Sequence, residues 1–476
     1  MSKIFKNTFL YTLGNSIPMG VTLFLLPLYT NYLSPDEYGI VGSMESVKIF
    51  FSIIFSICIE RGIVRLYFNY DTDLLKKKFL GVVFVLLIIV SFSILLLAFV
   101  FRDSIQDSFA NISFYPYILY AILIAFFTNL EHLPKLFYRL KEEANKFVFL
   151  SLFYFFLSTA LIVWYVVFQE EGALGYLKGQ LYSSVFMSVI YLFISFRIVI
   201  LNFDFKIIKE LLSFTLPFLP VLLFSWAINL SNRIFLENYS SLESVGIFSF
   251  AAKISIASSV FSTALMVSFE PNFYKWALEG KDGKLKIKNF FNLFFLIAVI
   301  SNFALVFFSK EILILFFNQK YWESSDIIAI LALTSLFSTG TGVAGMFFQQ
   351  SKKMVQNMYI SFSFVIVVLI LNYSLIPLYG SYGAATALLL SSIYGFLALY
   401  YYAKKNCFHV DLPLIKTFYL IIFLTAIFIF SEYFIINSSL FLNIFIKILI
   451  FLLLIFLFGM KYKDELLNSI KRFSKS

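Results

Sequence analysis

Charged side chains inside long apolar stretches are the residues of this sequence whose types and spacing could do chemistry. Glu45 and Lys48 are three positions apart and share a helix face. Glu60 and Arg61 follow, and Arg65 lies one helical turn beyond Arg61. A charge at the centre of a bilayer costs about 2.5–3.5 kcal/mol on insertion scales, so it usually faces a cavity or a partner. These positions are therefore candidates for a polar path through an apolar protein.

Arg61 and Arg65 together form a fork that suits a pyrophosphate group, because guanidinium binds phosphate in a bidentate manner. A second interpretation fits the same two residues. In that interpretation they anchor the chain, with their charged heads reaching the lipid head groups. The sequence leaves both interpretations open.

Three lysines and one further arginine are the other candidates for a cationic cavity that binds an anionic substrate. They are Lys48, Lys178, Arg233 and Lys253. Glu237 lies four residues after Arg233, so an ion pair within one helix is the alternative for that residue.

Four carboxylates are candidates for carrying a coupling ion, H⁺ or Na⁺, because burial can raise a glutamate pKa toward neutrality. They are Glu45, Glu60, Glu131 and Glu270. Glu131 lies close to Lys135, which favours a structural ion pair there. Glu270 precedes Pro271, a sequence that indicates the end of a helix.

The composition places these charges in a membrane. The chain is 61% hydrophobic and only 13% charged, whereas soluble domains are about 45–50% apolar and about 25% charged. Its 2 cysteines and 2 histidines lie far apart, with no metal-ligand or nucleophile spacing. We therefore expect an integral membrane protein that is not an enzyme and that uses no metal or other cofactor.

Apolar runs of spanning length predict about fourteen transmembrane helices. They lie at 8–30, 40–64, 79–100, 114–134, 147–168, 174–196, 211–236, 246–270, 289–309, 325–349, 356–377, 380–403, 415–436 and 441–460.

The distribution of basic residues supports this count. With both termini in the cytoplasm, 28 of the 37 Lys and Arg residues fall in inside segments. Five lie within spans, and four are predicted outside, namely Arg102, Lys310, Lys320 and Lys447. The net charge of +10 is thus orienting charge, and nucleic acid is not an expected partner.

Two segments of the sequence occur twice. NYLSPDEYGI (31–40) is echoed by NYSSLESVGI (238–247), an offset of 207. GALGYLKGQLYSS from Gly172 is echoed by GSYGAATALLLSS from Gly380, an offset of 208. The offset covers six predicted spans, an even number, so the two repeats have the same orientation in the membrane. We predict a lobe of six spans at 1–200, a second at 201–405, and two additional spans with a cytoplasmic tail at 406–476.

Three segments resemble polysaccharide-lipid flippases of the Wzx type, in the multidrug/oligosaccharidyl-lipid/polysaccharide exporter superfamily. They are LPLYTNYLSPDEYG (26–39), NLSNRIFLENYSSLESVGIFSFAAKIS (229–255) and PLYGSYGAATA (377–387). The resemblance implies two six-helix lobes in a V shape around a central cavity. It also implies outward movement of an undecaprenyl-pyrophosphate-linked oligosaccharide across a bacterial cytoplasmic membrane. Lipid-linked oligosaccharide and membrane lipid are the implied partners, with a glycan polymerase and a chain-length regulator as further candidates.

Three alternatives remain open from the sequence. Drug antiporters of the MATE type share the scaffold, but they usually have twelve spans. Lipid II flippases of the MurJ type have fourteen, but they carry arginine in the first span, and residues 8–30 here contain no charge. A membrane glycan polymerase would need a sizeable outside loop or an acidic motif, and the sequence has neither.

Overall fold

The computed structural model describes residues 3–414, 417, 419–421, 423, 424, 427 and 440–461. All regular structure in these residues is helical, which confirms the predicted all-α class. Eight helices in the described part of the chain are long and apolar enough to cross a membrane by length and composition. Each predicted span except 415–436 coincides with one described helix or with consecutive ones, and much of 415–436 falls outside the described residues. The total of fourteen spans stays a prediction.

The chain forms two compact units. Unit 1 consists of Met1–Ser249 and Ile376–Ser381, and unit 2 begins with Phe250–Leu375 and continues from Tyr382. The predicted domain boundaries at 200 and 405 stay a prediction.

Unit 1 is built around α2, which packs against α4, α6, α9 and α11. Its helices are α1 (Lys3–Tyr32), α2 (Pro35–Ser56), α3 (Ile59–Leu66), α4 (Asp73–Val100), α5 (Arg102–Gln106), α6 (Leu119–Asn129), α7 (His132–Leu140), α8 (Ala144–Val163), α9 (Gly172–Ile198), α10 (Phe205–Thr215) and α11 (Leu219–Tyr239). The break between α2 and α3 lies at Ile57 and Cys58, whose φ angles of 42° and 57° are left-handed. It divides the predicted span 40–64 just before Glu60.

Unit 2 has a core rich in phenylalanine, which includes Phe273, Phe291 and Phe347. Its helices are α12 (Leu242–Ala277, from residue 250 onward), α13 (Gly280–Phe316), α14 (Ser324–Gln350), α15 (Met354–Asn406, apart from 376–381) and α16 (Leu440–Lys461). A kink at Gly380 (φ 53°, ψ −128°) divides α15 into two arms. These arms correspond to the predicted spans 356–377 and 380–403.

The two repeated decamers have the same structural role. Ser34 caps α2, because its Oγ accepts a hydrogen bond from Glu37 N (3.2 Å) while Glu37 Oε2 accepts one from Ser34 N (2.8 Å). Ser241, at the corresponding position, accepts from Ser244 N (3.1 Å) at the start of α12. Each decamer is therefore a turn whose serine begins the next helix.

The decamers also touch each other. A Cβ added to Gly39 would overlap the carbonyl oxygen of Leu242, and one added to Gly246 would overlap that of Pro35. The first turns of α2 and α12 thus cross with their backbones in contact, which only glycine permits at the crossing point.

The second repeated segment meets the first at this same place. Gly172 and Gly380 both have left-handed φ angles, 56° and 53°. Gly172 abuts the Glu37 carboxylate, and Gly380 lies beside the Ser244 hydroxyl, at the position equivalent to Glu37. The two copies of the repeat predicted from the sequence therefore make equivalent contacts in the structure. We call this end of unit 1 the decamer end, and the end that carries α3 and α10 the Arg61 end.

Candidate functional site

Lys48 lies near the middle of α2, and its ammonium group is paired with a carboxylate. Its Nζ is 2.5 Å from Glu45 Oε2 and 3.3 Å from Gln180 Oε1 on α9. The side chains of Lys48 and Glu45 are 21% and 36% exposed, so the pair lies on an accessible surface of unit 1. Two predicted site residues, one cationic and one acidic, form a single neutralised group here.

Arg233 on α11 lies between α11 and the first turns of α12. Its Nε donates to Ser249 Oγ (3.2 Å) and one terminal nitrogen donates to Asn229 O (3.3 Å). The guanidinium carbon is 5.7 Å from the centroid of the Phe248 ring, and Glu45 lies within electrostatic reach. The alternative of an Arg233–Glu237 pair is wrong, because the Glu237 carboxylate binds the backbone amides of residues 110 and 111 instead.

Arg61 and Arg65 each lie over a phenylalanine ring at the Arg61 end, and we call these two contacts the Arg61–Arg65 stack. The guanidinium of Arg61 lies 4.5 Å from the Phe218 ring centroid, and that of Arg65 lies 4.8 Å from the Phe214 centroid. Between the two arginines, a Cβ on Gly62 would come within 2.5 Å of Leu211, so α3 and α10 approach closely.

Each of these cation–π contacts is worth about 0.5–1 kcal/mol at an exposed site. Both arginines are exposed, and the rings hold the guanidinium groups in place. Sequence reasoning missed the two phenylalanines. The signal was present, because Phe214 and Phe218 have the same spacing of four residues as the arginines.

A polar cavity of about 240 Å³ at the Arg61 end gathers two of the predicted coupling carboxylates. It is lined by Glu60, Glu131, His132, Lys135, Leu136, Arg139, Phe147 and Ser151. His132 Nδ1 is 2.5 Å from Glu60 Oε1, and Lys135 Nζ donates to Glu131 Oε2 at 2.6 Å, which confirms the predicted ion pair. The partnership of Glu60 with His132 had no local signal, because the two residues are 72 positions apart.

The remaining predicted residues lie elsewhere. Lys178 on α9 pairs with Glu171 (2.8 Å) near the decamer end. Lys253 is half-buried on the unit 2 part of α12, and Glu270 is exposed on the same helix. Position 270 is not a helix end as predicted, because α12 continues to Ala277.

Unit 2 contains a buried ion pair that the sequence analysis assigned wrongly. Lys447 was counted among the outside residues, but it lies on α16 and its Nζ is 2.8 Å from Glu311 Oε1 on α13. The side chains are 1% and 6% exposed, and Lys447 also donates to Phe307 O (3.1 Å). The carboxylate and the carbonyl allow the ammonium group to lie inside the protein. In the described residues, no group of three His, Cys, Asp or Glu side chains is placed to hold a metal ion.

Comparison with known proteins matches the chain to one family and to a shared fold. A family model described as "Polysaccharide biosynthesis protein" matches residues 30–275. The chain is 29% identical over 302 residues to the capsular polysaccharide biosynthesis protein CapF of Staphylococcus aureus, covering 60% of this chain and 74% of that protein.

Two solved structures share the fold. The lipid II flippase MurJ in an inward closed conformation has a TM-score of 0.74 at 16% identity, covering 96% of this chain and 99% of that one. An inward-facing multidrug transporter of the MATE family has a TM-score of 0.63 at 16% identity, covering 83% and 98%. At these identities the likeness shows the fold alone. The chain is thus a multi-pass membrane protein that belongs to the polysaccharide biosynthesis protein family and shares its fold with MurJ.

Proposed function

We propose that this protein moves an undecaprenyl-pyrophosphate-linked oligosaccharide from the cytoplasmic to the outer leaflet of a bacterial cytoplasmic membrane by alternating access. In the proposed orientation, both termini and the Arg61 end face the cytoplasm, and the decamer end faces outward. The family match to polysaccharide biosynthesis and the fold shared with a lipid II flippase support this choice of substrate class.

The observation that carries the proposal is the Arg61–Arg65 stack. The guanidinium carbons lie over the phenyl rings of Phe218 and Phe214, at 4.5 and 4.8 Å from the ring centroids. Guanidinium N–H groups suit bidentate binding of phosphate oxygens. The two arginines are one helical turn apart, about 6 Å along the axis, so both can reach the two phosphates of one pyrophosphate.

Lys48 and Arg233 are the next cationic positions along the proposed path. Lys48 is thirteen residues before Arg61, on the other side of the break at Ile57 and Cys58. The charge of Lys48 is balanced by Glu45 (2.5 Å), so the pyrophosphate would have to compete with that carboxylate. A paired lysine of this kind binds an anion more weakly than a bare one, which favours release over trapping. Lys178 and Lys253 are proposed as further contacts of the anionic head group.

We assign ion coupling to the polar cavity at the Arg61 end. Glu60 and Glu131 supply the carboxylates, and His132 provides a second titratable group in contact with Glu60. H⁺ is the coupling ion that suits a carboxylate–imidazole pair, since a proton can be held between the two groups. Glu45 and Glu270 remain candidates for the same role.

The experiment compares two arginine variants in cells that depend on this protein for their surface glycan. Arg61→Ala/Arg65→Ala is expected to lower surface glycan at least tenfold with an unchanged amount of protein in the membrane. Arg197→Ala is the matched control, because Arg197 is also exposed at the end of a helix and stacks on a phenylalanine (4.2 Å to the Phe193 centroid). Normal glycan display in the double variant, or an equal loss in the control, would exclude the arginine fork.

A further inference from the structure

Glu237 is a fully buried carboxylate in the last turn of α11, at the decamer end. Its exposure is 0%. A negative charge at a helix C-terminus is unfavourable, because the helix dipole places partial negative charge there. Such a residue needs strong compensation from another element.

The loop 107–113, between α5 and α6, supplies that compensation. Ala110 N donates to Glu237 Oε2 at 2.9 Å, and Asn111 N donates to Oε1 at 2.5 Å. Two successive backbone amides therefore bind one carboxylate. Hydrogen bonds to a charged group are about twice as strong as neutral ones.

Two further hydrogen bonds join the loop and α11, one donated by each element. The Asn111 side chain donates to Glu237 O (3.0 Å), and the Asn238 side chain donates to Ser108 O (2.8 Å). We call these four bonds the Glu237 clamp. They connect a loop of the first predicted lobe to α11, a helix of the second predicted lobe.

The clamp lies beside the Gly39–Gly246 crossing, where the first turns of α2 and α12 are in backbone contact. At the decamer end, the clamp holds α11 against the loop 107–113, and the crossing holds α12 against α2. At the Arg61 end, α3 is joined instead to α10 and to the turn after α10 by exposed cation–π contacts and apolar packing. The decamer end is thus the end whose elements are held together by hydrogen bonds to a buried carboxylate.

We propose that the Glu237 clamp is the outward gate of this transporter, and that Glu237 is the positioning residue that holds the gate closed. Opening at the decamer end breaks all four bonds and exposes the carboxylate to water, which can hydrate it. The clamp therefore closes the outward face while cargo binds at the other end. This inference rests on the proposed alternating-access function.

The test measures access from outside with a membrane-impermeant maleimide, in a protein whose Cys58 and Cys407 are replaced by serine. Ser46→Cys provides the reporter. Ser46 is 0% exposed and its carbonyl oxygen accepts a hydrogen bond from Trp226 of α11 (2.9 Å), so it lies where α2 meets α11. Glu237→Gln keeps the shape but places an amide group against a backbone N–H.

Glu237→Gln is expected to increase the labelling rate of Ser46→Cys from outside about tenfold, with no increase in inverted vesicles. Glu243→Gln is the matched control, because Glu243 is an exposed acid in the first turn of α12. An unchanged outside rate would overturn the proposal, and so would an equal increase on both faces, which indicates general loosening. Labelling needs no substrate, so a failure here is distinguishable from a failure of the proposed cargo, which the arginine variants test separately.

Discussion

The buried pair Glu311–Lys447 gives a quantitative test of how α16 is held in unit 2. Lys447→Met removes the ammonium group and leaves the Glu311 carboxylate buried, with only 6% of its side chain exposed. Glu311 Oε2 already has no hydrogen-bond partner in the described residues, so Oε1 would join it. Breaking a buried pair in this way destabilises a protein by about 3–5 kcal/mol, because an uncompensated charge remains.

The assay is thermal unfolding of the purified protein in detergent, with a double-mutant cycle. Lys447→Met and Glu311→Gln are each expected to lower the melting temperature, and the double variant is expected to lose less than the sum of the two single variants. The exposed pair Lys286–Glu279 (2.6 Å, 41% and 31% exposed) is the matched control, and Lys286→Met is expected to cost about 0–1 kcal/mol. Equal melting temperatures for Lys447→Met and Lys286→Met would refute the reasoning.

Three further predictions concern the other described features. Gly246→Ala is expected to destabilise the protein by about 1–3 kcal/mol through overpacking at the crossing, whereas Gly20→Ala, with no atom within 4 Å of the added Cβ, is expected to be neutral in the same melting assay. Burial between aromatic rings lowers the pKa of His409 in the connection after α15. The unfolded chain therefore binds a proton at His409 more readily than the folded chain does. We expect the stability of the folded chain to decrease as the pH falls below about 6.5, and the melting temperature of His409→Gln should depend less on pH. Glu60→Gln and His132→Gln are each expected to abolish the response of flipping to an imposed pH gradient, and an unchanged response in both would contradict the proposed coupling cavity.

Local spacing placed the members of two observed ion pairs on the same helix face, and for Glu131 and Lys135 it predicted the pair. Glu45–Lys48 and Glu131–Lys135 are three and four residues apart, and both form ion pairs at 2.5 and 2.6 Å. Helical periodicity brings such side chains together but does not decide the pairing, since Glu237, four residues after Arg233, binds backbone amides instead. The two repeated segments likewise indicated the shared scaffold.

Contacts between distant segments could not be predicted in the same way. Glu237 and Ala110 are 127 positions apart, and no periodicity connects a loop to a helix end. The two decamers were predicted as equivalent parts of a repeat, but their mutual contact at Gly39 and Gly246 depends on how α2 and α12 cross. Lys447 was misplaced because the charge-distribution rule assumes that a lysine lies outside the bilayer, and a buried partner on another helix breaks that assumption.

The most direct measurement is flipping of an undecaprenyl-pyrophosphate-linked oligosaccharide in proteoliposomes that contain only this protein. Oligosaccharide that has crossed the bilayer is scored by its accessibility to a glycan-modifying enzyme outside the vesicles. The account predicts protein-dependent flipping that falls at least tenfold in Arg61→Ala/Arg65→Ala and is retained in Arg197→Ala. Flipping at the parent rate in the double arginine variant would contradict it.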